Sequence, residues 1–77
     1  MELKLSAMNP GEKCLIKKVT GSGFLHRRML DMGIVPRTEI EVIRRAPLGD
    51  PVEIRLKGYD LSLRKSEAEK ILVEVIT

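Results

Sequence analysis

The sequence predicts a mostly β protein, a small barrel of roughly five or six short strands with one short helical insert and a C-terminal helical turn. Segments of alternating apolar and polar residues recur along the chain, and short turns rich in Pro, Gly, Asn and Asp separate them. One segment, Phe24–Met32, has helical spacing instead, with Leu25, Met29 and Met32 at i, i+4 and i+7. Closing the strands into a barrel would also remove exposed strand edges.

Length and composition restrict the class of protein. The 77 residues predict a single domain, residues 1–77, with a core of Leu, Ile, Val and Met, because the chain has one Phe and one Tyr. One cysteine and the lack of a signal-peptide pattern are typical of a cytoplasmic protein. No apolar run approaches the roughly 20 residues of a membrane span, so we expect a protein that is not membrane-embedded.

Alternation of apolar and polar residues predicts the strands. Val52–Lys57 is the clearest example, because every second residue is apolar and those between are charged. Lys13–Val19 is also predicted as a strand, but it carries apolar residues on both faces, so the pattern does not say which face points inward. An extended segment opens Met1–Met8, and further strands are predicted over residues 38–45, 61–64 and 71–76.

Capping residues predict where the helical segments begin and end. Ser22 is suited to cap the start of the helix, and Gly33 is suited to end it at C′. Ile34 would then stand at C″ and pack back on Met29. Ser66 and Glu69, three residues apart, predict a capping box that opens the C-terminal helical turn.

The sequence contains no recognisable catalytic or metal-binding set. One His and one Cys cannot supply a structural zinc site or a two-histidine iron site. An oxygen-only site from Asp and Glu side chains stays open, although Glu39 and Glu41 alternate with Ile40 and Val42, the pattern of a solvent face. Cys14 is predicted to be a buried, unreactive thiol. We therefore expect no enzyme, no catalytic residue, no cofactor and no metal ligand set.

The basic residues do not form a nucleic-acid signature. They occur in adjacent pairs, and on a strand adjacent side chains point to opposite faces, so such pairs do not add up to one patch. Proteins that bind single strands also use aromatic stacking platforms, which two aromatic residues cannot build. The net charge of +3 nevertheless keeps a basic nucleic-acid-binding barrel as the weaker alternative.

Several short runs of sequence together resemble one family. They are RRMLDMGIVP at residues 27–36, APLGDP at 46–51, PGE at 10–12 and LSLR at 61–64. With these runs the chain resembles, over nearly its whole length, the FeoA family of small cytosolic accessory proteins of ferrous-iron uptake. One turn departs from the pattern, because Pro36 is followed by Arg37 where the family usually has glycine, and this predicts a type I turn.

The resemblance implies an SH3-like barrel and a function. It implies a non-enzymatic cytosolic regulator of a ferrous-iron permease, contacting the permease's cytosolic G-protein domain at the inner face of the membrane. The alternative is a free-standing transition-metal-sensing barrel, because a similar barrel is appended to metal-dependent repressors. Transient contact with ferrous iron and assembly into a homo-oligomer both stay open.

The partner-binding surface is predicted around the helix and the loop Ala46–Pro51. Arg27 and Arg28 are adjacent on the helix, so they fan out and can both reach solvent. Two prolines stiffen the loop and lower its ordering cost on binding. Leu48, at the loop tip, has no evident core partner, and Asp50 is the acidic residue of the same loop. The candidate partner-binding residues are Arg27, Arg28, Leu48 and Asp50.

Overall fold

Six antiparallel strands make one sheet in the computed structural model, which describes residues 2–21 and 23–76. Helix α1 (Gly23–Asp31) connects the second strand to the third, and helix α2 (Lys65–Ala68) connects the fifth to the sixth. A short 3-10 turn follows the first strand. The strands are β1 (Glu2–Lys4), β2 (Lys13–Val19), β3 (Glu39–Arg45), β4 (Val52–Leu56), β5 (Tyr59–Leu63) and β6 (Ile71–Val75), and their order in the sheet is β1-β6-β2-β3-β4-β5. The mostly β, SH3-like architecture predicted from the sequence is confirmed.

The core is aliphatic, as its composition predicted. It is formed by side chains from one face of the sheet, from the inner face of α1 and from the 3-10 turn. Its largest fully buried side chains are Leu5, Met8, Ile16, Met29, Ile34, Ile40, Ile54, Leu56, Leu63 and Ile71. No helix within residues 2–21 and 23–76 is long and apolar enough to cross a membrane.

A bulge explains the ambiguous pattern of β2. Cys14 and Ile16 point into the core, and so does Val19, although strict alternation would send it outward. The pairing register with β6 shifts between Ile16 and Lys18, which reverses the alternation beyond that point.

The end of α1 follows the predicted helix-stop motif. Gly33 has a φ of 90°. Its backbone N–H donates to the carbonyl oxygen of Leu30 at 3.0 Å, and the N–H of Ile34 donates to that of Met29 at 3.0 Å. These are the two hydrogen bonds of a Schellman motif, and Met29 and Ile34 are both fully buried. The predicted N-cap, Ser22, lies outside the described residues.

The turn before β3 is not the predicted type I. Arg37 has a φ of 74°, the left-handed value that the third residue of a type II turn requires. The cause is pairing with β2, because the N–H of Arg37 donates to the carbonyl oxygen of Ile16 at 2.7 Å. The N–H of Ile16 in turn donates to the carbonyl oxygen of Thr38 at 2.9 Å, so strand pairing fixes the peptide orientation that an arginine alone would not choose.

The capping box predicted from Ser66 and Glu69 is wrong. Helix α2 starts at Lys65, so the residue before it is the extended Arg64 and the third helical residue is Glu67. The Oε1 atom of Glu67 accepts a hydrogen bond from the backbone N–H of Arg64 at 2.8 Å. Ser66 therefore lies inside the helix, because β5 runs up to Leu63 and sets where the helix begins.

The hairpin between β4 and β5 is also tighter than predicted. The sequence suggested a turn at residues 58–60 and a strand from Leu61. Instead Lys57 and Gly58, with φ of 50° and 86°, form a two-residue turn with both residues left-handed, and β5 starts at Tyr59.

Candidate partner-binding surface

The loop between β3 and β4 presents the most exposed of the chain's large apolar side chains in the described residues. Leu48 is 92% exposed at its tip. The loop is held by its own backbone, because the N–H of Ala46 donates to the carbonyl oxygen of Pro51 at 3.1 Å and that of Gly49 donates to the carbonyl oxygen of Ala46 at 2.7 Å. Leu48 is thus an apolar side chain on an ordered support.

Asp50 joins this loop to α2. Its Oδ1 atom accepts a hydrogen bond from the backbone N–H of Lys65 at 3.0 Å. Lys65 is the first residue of α2, so this N–H has no partner within the helix. The carboxylate of Asp50 therefore caps a helix start and fixes the base of the loop against it.

Glu67 joins α1 to α2. Its exposure is 6%, the lowest of any charged residue among those that the structure describes. One carboxylate oxygen accepts the N–H of Arg64, and the other lies 3.5 Å from the Nη1 atom of Arg28. The side chain of Arg28 is itself 57% exposed, so the pair is only half-buried, and Arg28 balances a buried carboxylate from the solvent side.

Two hollows flank the base of the loop. Pro51 and Ser62 line both of them and form the saddle between them. The first hollow, here called the α2-side hollow, is otherwise lined by Arg28, Asp50, Leu63, Arg64 and Glu67. The second, the β3-side hollow, is otherwise lined by Arg44, Arg45, Ala46, Pro47 and Glu53.

A separate hollow lies on the outer face of α1. It is mostly apolar and is lined by Gly23, Phe24, His26, Arg27 and Leu30. Phe24, the chain's one phenylalanine, is 82% exposed. The sequence contained a signal for this, because Phe24 falls outside the buried stripe that runs through Leu25 and Met29.

The four predicted partner-binding residues occupy three places. Arg28 and Asp50 line the same hollow, and Leu48 stands on the loop that borders it. Arg27 lies on the outer face of α1, in the hollow with Phe24. The structure adds Arg44, Arg45, Ser62 and Arg64 to the neighbourhood of the loop, because β3 and β5 bring them to the same end of the sheet.

Reactive groups are few. Burial, and next to it the negative charge of Glu12, raises the pKa of the Cys14 thiol to about 12, so the thiol keeps its proton at neutral pH. No group of three or more His, Cys, Asp and Glu side chains that could hold a metal ion occurs in the part of the chain that the structure describes. The exposed pair Arg55 and Asp60 is linked at 2.8 Å, and this hydrogen bond lowers the pKa of the Asp60 carboxyl.

Residues 3–75 match the model of a family described as FeoA domain. A curated relative from Porphyromonas gingivalis, the Fe(2+) transport protein A/Fe(2+) transporter FeoB fusion protein, is 41% identical over 75 residues, which are 97% of this chain and 9% of that protein. The chain thus spans a small part of that relative's length. The solved structure of a FeoA-like protein from Clostridium acetobutylicum is 43% identical, with a TM-score of 0.91 over 99% of this chain and 88% of that one.

Two more distant structures share the fold. The zinc complex of Stenotrophomonas maltophilia FeoA, described as an SH3 domain protein, is 21% identical with a TM-score of 0.78, covering 94% of this chain and 89% of that one. A manganese-dependent transcriptional repressor with manganese is 17% identical with a TM-score of 0.90, covering 97% of this chain and 37% of that one. At these identities the likeness concerns the fold alone.

Proposed function

Because the chain belongs to the FeoA domain family, we propose that it is a non-enzymatic cytoplasmic accessory protein of a ferrous-iron permease. It acts by contact with the permease's cytosolic G-protein domain and reaches the inner face of the membrane through that partner. The observation that carries this proposal is the relative in which a Fe(2+) transport protein A is fused to a Fe(2+) transporter. Fusion holds two modules at a high effective concentration, which is useful where the separate modules also associate.

The surface around the loop supports a contact role. Leu48 is 92% exposed, and burying a leucine side chain contributes about 1.5–3 kcal/mol. The loop is ordered before binding by its own hydrogen bonds and by the link from Asp50 to α2, so little further ordering is needed. We place the docking surface on Leu48, Asp50 and Arg28, with Arg27 at its margin on α1.

The test is direct binding of the full chain to the purified G-protein domain of the permease from the same genome. Leu48→Asp should weaken binding about tenfold or more, because it places a charge at an apolar contact. Arg27→Glu should also weaken it. Lys4→Glu, on the exposed β1 strand outside all three hollows, is the matched control and should bind like the parent.

Arg28 is tested with glutamine rather than glutamate. Arg28→Glu would place a second carboxylate beside buried Glu67 and would destabilise the fold for a reason unrelated to docking. Each variant is melted alongside the parent, so that loss of binding is counted only for folded protein. If the parent does not bind the G-protein domain, and deleting its gene leaves ferrous-iron uptake unchanged, the proposed function is wrong.

A further inference from the structure

We propose that the α2-side hollow and the β3-side hollow form one groove for an extended, acidic protein segment, with one carboxylate at Arg45 and another at Arg64. The inference rests on the proposed function for the identity of the partner, the permease's cytosolic part. The groove itself is defined by the residues of the two hollows, which meet at Pro51 and Ser62. A ligand that fills both must be long enough to cross this saddle, which favours a chain segment over a single small anion.

Of the four arginines that line the groove, two form ion pairs and two do not. Arg44 pairs with Glu53 at 3.5 Å in the β3-side hollow. Arg28 pairs with Glu67 at 3.5 Å in the α2-side hollow. The remaining two arginines, Arg45 and Arg64, take part in none of the ion pairs found among the described residues. Each hollow therefore contains one arginine whose charge is already balanced and one whose charge is not.

Arg45 is held in place without being neutralised. Its Nη1 atom donates to the backbone carbonyl oxygen of Met8 at 3.3 Å, and its Nη2 atom lies under the loop, 3.6 Å from where a Cβ on Gly49 would stand. Its Nε atom is buried and has no partner among the described residues. A positive charge that is partly removed from water gains more from an arriving carboxylate than an exposed one does.

Arg64 offers the second contact at the other end of the groove. Its backbone is fixed, because its N–H donates to Glu67 and its carbonyl oxygen accepts from the first turn of α2. Its side chain is exposed and lines the α2-side hollow. Between the two arginines, Ser62 faces both hollows with a hydroxyl that can donate to or accept from a peptide backbone.

The same groove disfavours a nucleic-acid strand. Three carboxylates, those of Asp50, Glu53 and Glu67, lie in its walls. A phosphate backbone brings a charge at every nucleotide and would meet them, whereas a peptide can place carboxylates at the two free arginines and backbone N–H groups near the acidic walls. The alternation of charges along the groove thus matches a peptide with spaced acidic residues.

In the first experiment, a short synthetic peptide with glutamate at alternate positions is added to the isotope-labelled full chain. Binding is monitored by NMR at physiological ionic strength. We expect chemical-shift changes at Arg45, Ser62 and Arg64, and smaller changes at residues 23–30, which line the separate hollow on α1. The counterpart peptide with glutamine at the same positions should change no chemical shifts. The double variant Arg45→Gln/Arg64→Gln should bind the glutamate peptide about tenfold more weakly than the parent does. Lys4→Gln is the matched control, and melting verifies that all variants fold.

Three results would contradict the proposal that the groove binds an acidic segment. They are equal chemical-shift changes with the glutamine peptide, changes confined to residues 23–30, and tighter binding of a single-stranded oligonucleotide than of the glutamate peptide. The second experiment repeats the variants against the permease's G-protein domain and separates the two proposals. If that domain binds the double variant as tightly as the parent, the groove is not where the domain binds, and the proposed function stands. If the peptide binds as expected, the domain does not bind at all and deleting the gene leaves ferrous-iron uptake unchanged, the proposed function is wrong and the groove for an acidic segment stands.

Discussion

Replacing Gly33 by alanine tests the end of α1 more sharply than any other single change. Gly33 has a φ of 90°, and a Cβ built on it would lie 3.3 Å from the Oη atom of Tyr59 and 3.8 Å from the Cδ1 atom of Leu56. The Tyr59 hydroxyl is itself engaged, because it donates to the backbone carbonyl oxygen of Met32 at 2.8 Å. The substitution therefore strains the backbone and crowds a hydrogen bond that joins β5 to the end of the helix.

The two costs can be estimated separately. A left-handed residue with a Cβ costs roughly 1–2 kcal/mol. Displacing the Tyr59 hydroxyl from Met32 costs about 0.5–1.5 kcal/mol more. Together the two costs come to about 1.5–3.5 kcal/mol, which should lower the melting temperature of a domain of this size by roughly 6–28 °C. Gly33→Val should cost more still, because its side chain is β-branched.

Gly58→Ala is the matched control for strain without crowding. Gly58 has a φ of 86°, and a Cβ on it would meet nothing within 4 Å. Urea unfolding of both variants, alone and combined with Tyr59→Phe, gives a double-mutant cycle. Gly33→Ala should lose more stability than Gly58→Ala, and Tyr59→Phe should remove the difference. Equal losses would refute the crowding argument, and a Gly33→Ala variant that melts with the parent would refute the interpretation of the helix end.

Three further outcomes are expected. Arg37→Gly should leave stability unchanged or raise it by about 1 kcal/mol, since relief of left-handed strain outweighs the entropy of glycine; a clear loss in urea unfolding would contradict this. Cys14 should resist a disulfide reagent at pH 8 in the folded state and react fully in denaturant; because burial raises its pKa from 9.0 to about 12, its contribution to stability should be present below pH 9 and be lost as the pH rises toward 12. Thermal melting should be the same with and without a chelator, and a transition that collapses on chelation would favour the metal-sensing alternative.

The sequence predicted those elements whose signals are local. Apolar and charged residues alternate strictly along β4, because one face of the strand is buried and the other faces solvent. The predicted strand, Val52–Lys57, therefore agrees with the observed one, Val52–Leu56, within a residue. The Schellman motif was predictable because Gly33, Ile34 and Met29 are near one another in sequence and each position has one strongly preferred residue type.

The errors come from contacts between distant parts of the chain. Pairing with Ile16 gives Arg37 its left-handed conformation, and nothing in the turn sequence indicates this. A bulge in β2, set by its register with β6, hides which face of that strand is buried. The choice of Glu67 over Glu69 at α2 follows from where β5 stops.

The candidate surface was predictable in its loop and not in its charges. The exposure of Leu48 followed from a stiff loop with no apolar partner nearby. By contrast, Arg28 looks like any exposed helical arginine until Glu67 is brought beside it by the fold. Whether an arginine is balanced or free depends on such pairings, so the distinction between Arg28 and Arg45 requires the structure.

The position of β6 has a consequence for synthesis of the domain. β6 is the last strand of the barrel in the chain, yet it lies between β1 and β2 and pairs with both. Until residues 71–75 leave the ribosome, β1 has no neighbour, β2 has an open edge, and the core lacks Ile71 and Val73. The nascent chain therefore cannot complete its fold one strand at a time, and the edge of β2 stays unpaired and open to association with other chains until β6 becomes available.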